Sequence, residues 1–380
     1  MTTQDSEHHL VYVITEDWFF ASHFLDRAKA AIKTGHRVSV VTRCRETASG
    51  LAGSGLEFEN FEFSRRGLNP FSEIGTVIRL ASLLRKIKPN VVHNIALKPV
   101  TLGTLAARVA GIQNIVNAPV GMGYVFTSQE NKAKILRPVV RRVIKYVLGR
   151  PNSRIVIENN EDLQNLIRQE FAEPEQIFLI KGAGVDTRKF SMTPEPTEPI
   201  KVIMVSRLLR DKGVFEFIEA AKIVSSSNST VQFILVGDVD DGNPTSLTQE
   251  EIRELSLSGI VKFLGTRSDV AQLLAASHIA CLPSYREGLP KSLIEAAAAG
   301  RPIVTTDVTG CREVVTDQVN GLLVPPRDSA ALAEALLILI NDPEMRKTMG
   351  ARNRQKAEQE FANEIIIGQT LEIYKSFYSS

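Results

Sequence analysis

The stretch SYREGLPKSLIEAAAAGRPIVTTD, residues 284–307, decides how this chain folds. The apolar run IACLP (279–283) ahead of it has strand character, the Ala-rich middle suits a helix, and PIVTT (302–306) is β-branched again. Strand, loop, helix and strand in that order make a βαβ unit, which implies a parallel sheet and a right-handed crossover.

The same rhythm extends in both directions. KVIMVS (201–206), a helix from about Gly213, VQFILVG (231–237) and IVKFLG (260–265) precede the stretch. Ahead of them FSMTPEPTEPI (190–200) places three prolines in a polar segment, which reads as a linker because Pro disfavours helix at itself and at the residue before it. The first half repeats the pattern with LVYVIT (10–15), RVSVVT (37–42), VVHNI (91–95), NIVNA (114–118) and RIVIE (154–158). Helices fit residues 20–34, 72–87, 99–110 and 160–170 between these strands. The expected architecture is α/β, with Rossmann-like domains at 1–189 and 201–360 around a 190–200 linker. Residues 361–380 carry Ile367, Leu371, Tyr374 and Tyr378 at helical spacing, an amphipathic terminal helix despite Gly368. Two such domains facing each other place a cleft at the C-terminal ends of both sheets, where ligands usually bind.

Composition narrows the function classes. With 380 residues and 43% hydrophobic side chains, the chain can bury two cores and is no disordered or fibrous sequence. Cys44, Cys281 and Cys311 lack CxxC or Cys/His spacing, which supports neither a disulfide framework nor a zinc site and suits a reducing cytoplasm. The start MTTQDSEHH is polar, and no run approaches the roughly 20 apolar residues that span a bilayer, so a protein neither exported nor integral is expected.

A net charge of +2 conceals an asymmetry: basic residues are in excess before residue 190 and acidic residues after it. The excess concentrates in QENKAKILRPVVRRVIKYVLGR (129–150), where Lys132, Lys134, Arg137, Arg141, Arg142, Lys145 and Arg150 face Glu130 alone. Val140, Val143, Ile144 and Val147 recur at helical spacing there. Such a basic amphipathic helix either covers the sheet as an ordinary surface helix or lies on an anionic membrane surface. No helix-turn-helix, zinc-finger or aromatic RNA-binding motif is present, so no nucleic acid is expected as partner.

Several residues carry possible chemistry. Glu287 falls in the loop before the predicted helix and Glu295 about one turn inside it, so both can address one ligand at the helix N-terminus. The amides of Lys291, Ser292 and Leu293, with the helix dipole, suit phosphate, and an acid inside the helix suits ribose hydroxyls. A turn glutamate and an exposed helical one is the plainer alternative. In VSRLLRDKG (205–213), Arg207 and Lys212 share one βα loop and can neutralise a diphosphate, or can form a solvated basic loop. Gly237 and Gly265 end strands on the side where a nucleotide would lie.

Arg207, Lys212 and the E-x7-E pair, followed by AAAAGRPIVTTDVTGCREVV and NGLLVPPRD, resemble the retaining glycosyltransferases of family 4. The resemblance implies the GT-B fold, with the terminal helix crossing back to the N-terminal domain. It implies that Arg207 and Lys212 bind a nucleotide diphosphate, Glu295 its ribose, and that Glu287 lies beside the donor sugar. No cofactor or metal is implied, since cationic side chains and the helix dipole neutralise the leaving diphosphate; the DVDD run (238–241) is then a solvated loop.

VVHNIALKPVTLGTLAARVAG (91–111), GMGYVF (121–126) and KGAGVD (181–186) are similar to bacterial transferases that extend polyprenyl-diphosphate-linked oligosaccharides, capsule or O-antigen units. On that likeness His93, Asn94 and Lys98 sit at a strand exit and meet the acceptor, with Gly121 and Gly123 allowing close backbone approach. A lone His is equally a buried, satisfied imidazole, and two glycines equally a turn. Where many family members carry a glycine-rich loop, this chain has TEDWFFASH (15–23), whose Trp18, Phe19 and Phe20 either shape an apolar acceptor entrance or belong to the core.

The implied function is sugar transfer from a nucleotide diphosphate, UDP being the expected carrier, to a lipid-linked saccharide by a cytoplasmic enzyme held peripherally at the inner face of the plasma membrane. A nucleotide-sugar epimerase of the same fold and a non-catalytic two-domain ligand-binding protein are the alternatives.

Overall fold

In the computed structural model, residues 8–63, 70–120, 142–197, 199–240 and 242–378 are described. The run HLVYVITE forms strand β1 (His9–Glu16), and its alternate side chains enter two different cores. A strand buried on both faces reads as continuous apolar sequence, and this one can only be interior to a sheet covered by helices on each side. Six further strands complete that sheet: β2 (Arg37–Arg43), β3 (Leu56–Asn60), β4 (Val91–Ile95), β5 (Ile115–Ala118), β6 (Ser153–Ile157) and β7 (Ile177–Leu179). Their order is β3-β2-β1-β4-β5-β6-β7, all neighbours parallel.

Val11, Val13 and Val92 pack under the helices Pro70–Ile87 and Leu97–Val109, while Ile155 and Ile157 pack under residues 142–148. Leu10, Tyr12 and Ile14 face the opposite layer, which holds the helix Leu25–Lys33 and Ile366, Ile373 and Tyr374 of the helix Asn363–Lys375. The helix expected over 20–34 is two helices, Asp17–His23 and Leu25–Lys33, broken at Phe24 (φ −126°, ψ −9°). Phe20 and Phe24 both reach Tyr12, with ring centroids at 5.5 and 6.2 Å, and Phe20 is core.

Contacts divide the chain into one unit of Met1–Ala183 with Ile366–Ser380 and a second of Gly184–Ile365. The second unit has its own sheet: β8 (Lys201–Val205), β9 (Gln232–Val236), β10 (Val261–Phe263), β11 (Ile279–Leu282), β12 (Ile303–Thr306) and β13 (Gly321–Val324). Its order is β10-β9-β8-β11-β12-β13, again all parallel. Strand order reverses between β1 and β4 in one sheet and between β8 and β11 in the other, the positions where doubly wound sheets open a crevice at their C-terminal ends.

The segment 190–200 is no free tether. Arg301 donates to the Thr193 carbonyl at 2.9 Å, Arg346 pairs with Glu195 at 2.5 Å, and the His278 ring donates to the Pro196 carbonyl at 3.1 Å. The segment lies inside the second unit, whose own side chains supply these partners.

Candidate active site at the exits of β8 and β11

Past β8 the chain forms a single 3-10 turn, Arg210–Lys212, and then Gly213 with φ +74°. A side chain at Gly213 would collide with the Pro283 carbonyl, so glycine lets the loop after β8 lie directly on the loop after β11. Two hydrogen bonds hold the loops together: the Tyr285 amide and the Ser284 hydroxyl donate to the Asp211 carbonyl at 2.8 and 3.0 Å. Gly310 does the same from the other side, since a Cβ there would lie 2.8 Å from the Glu287 carbonyl. This close packing brings Lys212 Nζ to 2.5 Å from Glu287 Oε1, with the side chains 19% and 9% exposed.

Arg207 stands at the same exit, half exposed, and its Nη1 donates to Asp240 Oδ2 at 2.6 Å. The DVDD run is therefore not simply solvated: Asp240 is largely buried and ion-paired, its amide donating to Ser246 Oγ at 2.9 Å, while Asp241 lies outside the described residues. Gly237 (φ +138°) lies against the Ser206 carbonyl, and its amide donates to the Gly265 carbonyl at 2.9 Å. These contacts draw the exits of β8, β9 and β10 together.

The helix Lys291–Ala298 opens beside this cluster. Glu295 is largely buried, one turn from Lys291, whose Nζ is 3.5 Å away. Burial pushes its carboxyl above the ordinary carboxylate range, and Lys291 pulls the other way. Ser292 lies in the first turn, where a helix gives its amides no internal acceptor. Leu293 departs from expectation: its amide donates to the Pro290 carbonyl at 3.1 Å and its side chain is core, so it offers a ligand nothing.

Three neighbours escape a reading by motif alone. Tyr285 donates to Glu216 Oε1 at 2.6 Å, the Arg327 guanidinium sits 4.6 Å over its ring, and burial with Glu216 pushes the phenol up to about 12. The Ser206 hydroxyl and the second Glu216 oxygen are buried without a hydrogen-bond partner among the described residues. Tyr285 and Arg327 stand inside quoted motifs, but only the fold joins them to Glu216. Among the described residues no cluster of three His, Cys, Asp or Glu groups could hold a metal ion.

The first unit disposes of its expected acceptor residues differently. His93 lies within β4, not at its exit, and is 1% exposed. Its Nδ1 shares a hydrogen bond with Tyr374 Oη at 2.8 Å, and Tyr374 bonds Tyr12 Oη at 2.9 Å. Burial drives the imidazole down to about 3, so it is a neutral structural group. Asn94 is fully buried, donating to Thr104 Oγ1 at 3.2 Å and Asn117 Oδ1 at 3.0 Å, with Gly103 packed against its amide. Neither presents a side chain to an acceptor. Lys98 does stand beyond the strand, paired with Glu73 Oε1 at 2.7 Å. Between them Ala96 takes φ +72°, ψ 160°, a region almost confined to glycine, pinned by its amide donating to the Ala118 carbonyl at 2.9 Å. Gly121, Gly123 and the basic residues from Lys132 to Arg141 lie outside the described residues.

Comparison with known proteins identifies the family and the fold. The family model for glycosyl transferases group 1 matches residues 185–356, and that for glycosyl transferase 4-like matches residues 9–160. The N,N'-diacetylbacillosaminyl-diphospho-undecaprenol alpha-1,3-N-acetylgalactosaminyltransferase of Campylobacter jejuni is 31% identical over 89% of this chain and 90% of its own. The UDP-Gal:alpha-D-GlcNAc-diphosphoundecaprenol alpha-1,3-galactosyltransferase of Escherichia coli is 27% identical over 77% of this chain and 76% of its own. The crystal structure of Anabaena Alr3699/HepE in complex with UDP and glucose matches with a TM-score of 0.77 at 20% identity, covering 97% of this chain and 99% of that one. The chain is an enzyme of GT-B fold and belongs to the group 1, family-4-like glycosyltransferases.

Proposed function

We propose that the second unit binds a nucleoside diphosphate sugar, with UDP as carrier, and that the sugar passes with retained configuration to a hydroxyl of a polyprenyl-diphosphate-linked saccharide in cell-surface glycan assembly. The observation that carries the donor half is the 2.5 Å Lys212–Glu287 pair beside Arg207, at the sheet's switch point. The named activities of the relatives, on undecaprenol-linked acceptors, support the acceptor half.

As the sugar–phosphate bond breaks, charge grows on the leaving diphosphate. Arg207 and Lys212 are already held at the site by Asp240 and Glu287, and on this reading they turn to that charge without being recruited from solvent. The Ser292 amide adds the field of a helix N-terminus. Glu287 then orients donor hydroxyls or stabilises a cationic sugar centre, and Glu295 accepts from the ribose. Retention follows from front-face attack assisted by the leaving phosphate. The two cations make a metal unnecessary, so transfer should persist in EDTA. Acting on a lipid-linked acceptor, the enzyme works at the cytoplasmic face of the plasma membrane, and none of the described helices is long and apolar enough to cross it.

Thermal unfolding with UDP, GDP, ADP and CDP tests the donor assignment. A ligand at about 100 times its Kd stabilises by about 2.7 kcal/mol, so UDP alone should raise Tm. A GDP-selective rise would reassign the carrier, and no rise with any nucleotide would remove the donor reading. Product analysis with donor alone separates transfer from epimerisation at the sugar carbon.

A further inference from the structure

The first unit's two helical layers have very different outer surfaces. Every large apolar side chain that this unit exposes among the described residues lies on one layer, that of Pro70–Ile87, Leu97–Val109 and 142–148. Phe71, Ile74 and Ile78 are 82%, 57% and 61% exposed and follow one another at single-turn spacing along the first helix. Val109, Val143 and Tyr146 continue the exposure on the other two. The layer of Leu25–Lys33 and the end of Asn363–Lys375 has no such residue.

Charge follows the same division. These three helices carry several Lys and Arg, among them the exposed Arg85, Lys86, Arg142 and Lys145, against Glu73 as their sole acid, and Glu73 is bound to Lys98 at 2.7 Å. Arg108 and Arg150 lie 5.1 and 4.9 Å from the Tyr146 ring, setting an aromatic among cations. The fourth helix on this side, Asn160–Arg168, brings Glu161 and Asp162 but no exposed large apolar group, and so marks the edge of the patch.

We propose that the outer surface of this three-helix layer docks on an anionic lipid bilayer. Exposed apolar side chains interleaved with cations are the composition of an interfacial surface: the apolar groups enter the headgroup boundary and the cations meet lipid phosphates. A second copy of the chain fits the charge poorly, because a two-fold interface would set this basic surface against itself. The partner's identity rests on the lipid-linked acceptor reading. Lys98, which stands just beyond β4, lies on the same layer, so docking there would bring that strand exit close to where an acceptor's diphosphate leaves the bilayer.

The test is flotation of the full chain with vesicles of phosphatidylethanolamine and phosphatidylglycerol, and with phosphatidylcholine alone. The wild type should float with the anionic vesicles only. Phe71→Ser/Ile74→Ser/Ile78→Ser should lower binding by about tenfold or more, and Lys86→Ser/Arg142→Ser/Lys145→Ser should lower it and remove its salt dependence. All these side chains are exposed, and an unchanged Tm rise with UDP checks that each variant is folded. Equal flotation of wild type and both variants would overturn the proposal. So would a wild-type dimer that the apolar variant converts to monomer without loss of flotation. Transfer to a detergent-dispersed lipid-linked acceptor by a chain that ignores vesicles would refute the docking face and keep the acceptor reading; flotation with no transfer to any lipid-linked acceptor would do the reverse.

Discussion

The exits of β11 and β4 occupy matching places in the two sheets, yet they treat polar residues in opposite ways. Glu287 lies beyond the last residue of β11, on a loop lifted clear of the sheet, and keeps some access to solvent beside Lys212. His93 and Asn94 lie within β4, in register with Tyr12 and Val13, and their side chains vanish into the layers above and below. A polar residue near a strand end becomes part of a site only once it has passed the last ladder pair; within the ladder it is enclosed by the packed layers, as His93 is, with Nδ1 on Tyr374 Oη and Nε2 buried without a hydrogen-bond partner among the described residues.

Substitutions at the two exits should therefore separate activity from stability. The largest effect is expected for Glu287→Ala, with transfer falling by about 10²–10³ in kcat while UDP affinity is kept; normal turnover would place the donor sugar elsewhere. Gly213→Ala should follow. Its Cβ meets the Pro283 carbonyl, so the two loops must part, costing about 2–4 kcal/mol in urea unfolding and weakening the Tm rise with UDP. Gly265→Ala sharpens this comparison, since Gly265 has a similar φ of +63° and nothing within 4 Å, and only the backbone cost of about 1 kcal/mol should remain. Glu295→Ala should lower UDP affinity by about tenfold, and unchanged affinity would remove its ribose role.

His93→Gln, in contrast, should change kcat/KM by less than about threefold. Its signature is in stability. The native imidazole resists protonation down to about 3, whereas the unfolded chain protonates near 6.5, so below that value the unfolded state binds a proton the native state refuses. The contribution of a buried neutral His93 is complete above about pH 6.5 and falls by about 1.4 kcal/mol per unit as pH drops towards 3. Wild-type and His93→Gln stabilities, measured at pH 7 and pH 5, should therefore converge at the lower pH. A constant difference would break the assignment of His93 as a structural group.

Interior strands were legible because burial on two faces writes an apolar run such as LVYVIT or KVIMVS. The strands not anticipated are β3, β7 and β13, at or near sheet edges. β3 alternates Leu, Glu, Phe, Glu and Asn, β7 is three residues long, and GLLV of β13 stood unrecognised inside a quoted motif. At the candidate site, Glu287, Arg207 and Lys212 were legible from motif spacing. Tyr285 and Glu216 were not, because they meet through the loop contacts made at Gly213 and the Asp211 carbonyl, and Asp240 was not, because Arg207 and Ser246 hold it there. His93 misled because a strand's last residues and the loop after it look alike in sequence while their surroundings differ completely.

The first unit is assembled from two separate lengths of chain, Met1–Ala183 and Ile366–Ser380, whereas Gly184–Ile365 is continuous. Tyr374, wholly buried against Tyr12 and His93, is synthesised after every residue of the second unit. On the ribosome the usual order of maturation is therefore reversed: the later-made unit can close first, and the earlier one waits with an incomplete core until its final helix emerges. A nascent chain halted after Ile365 should thus carry a protease-resistant second unit and a protease-sensitive first one.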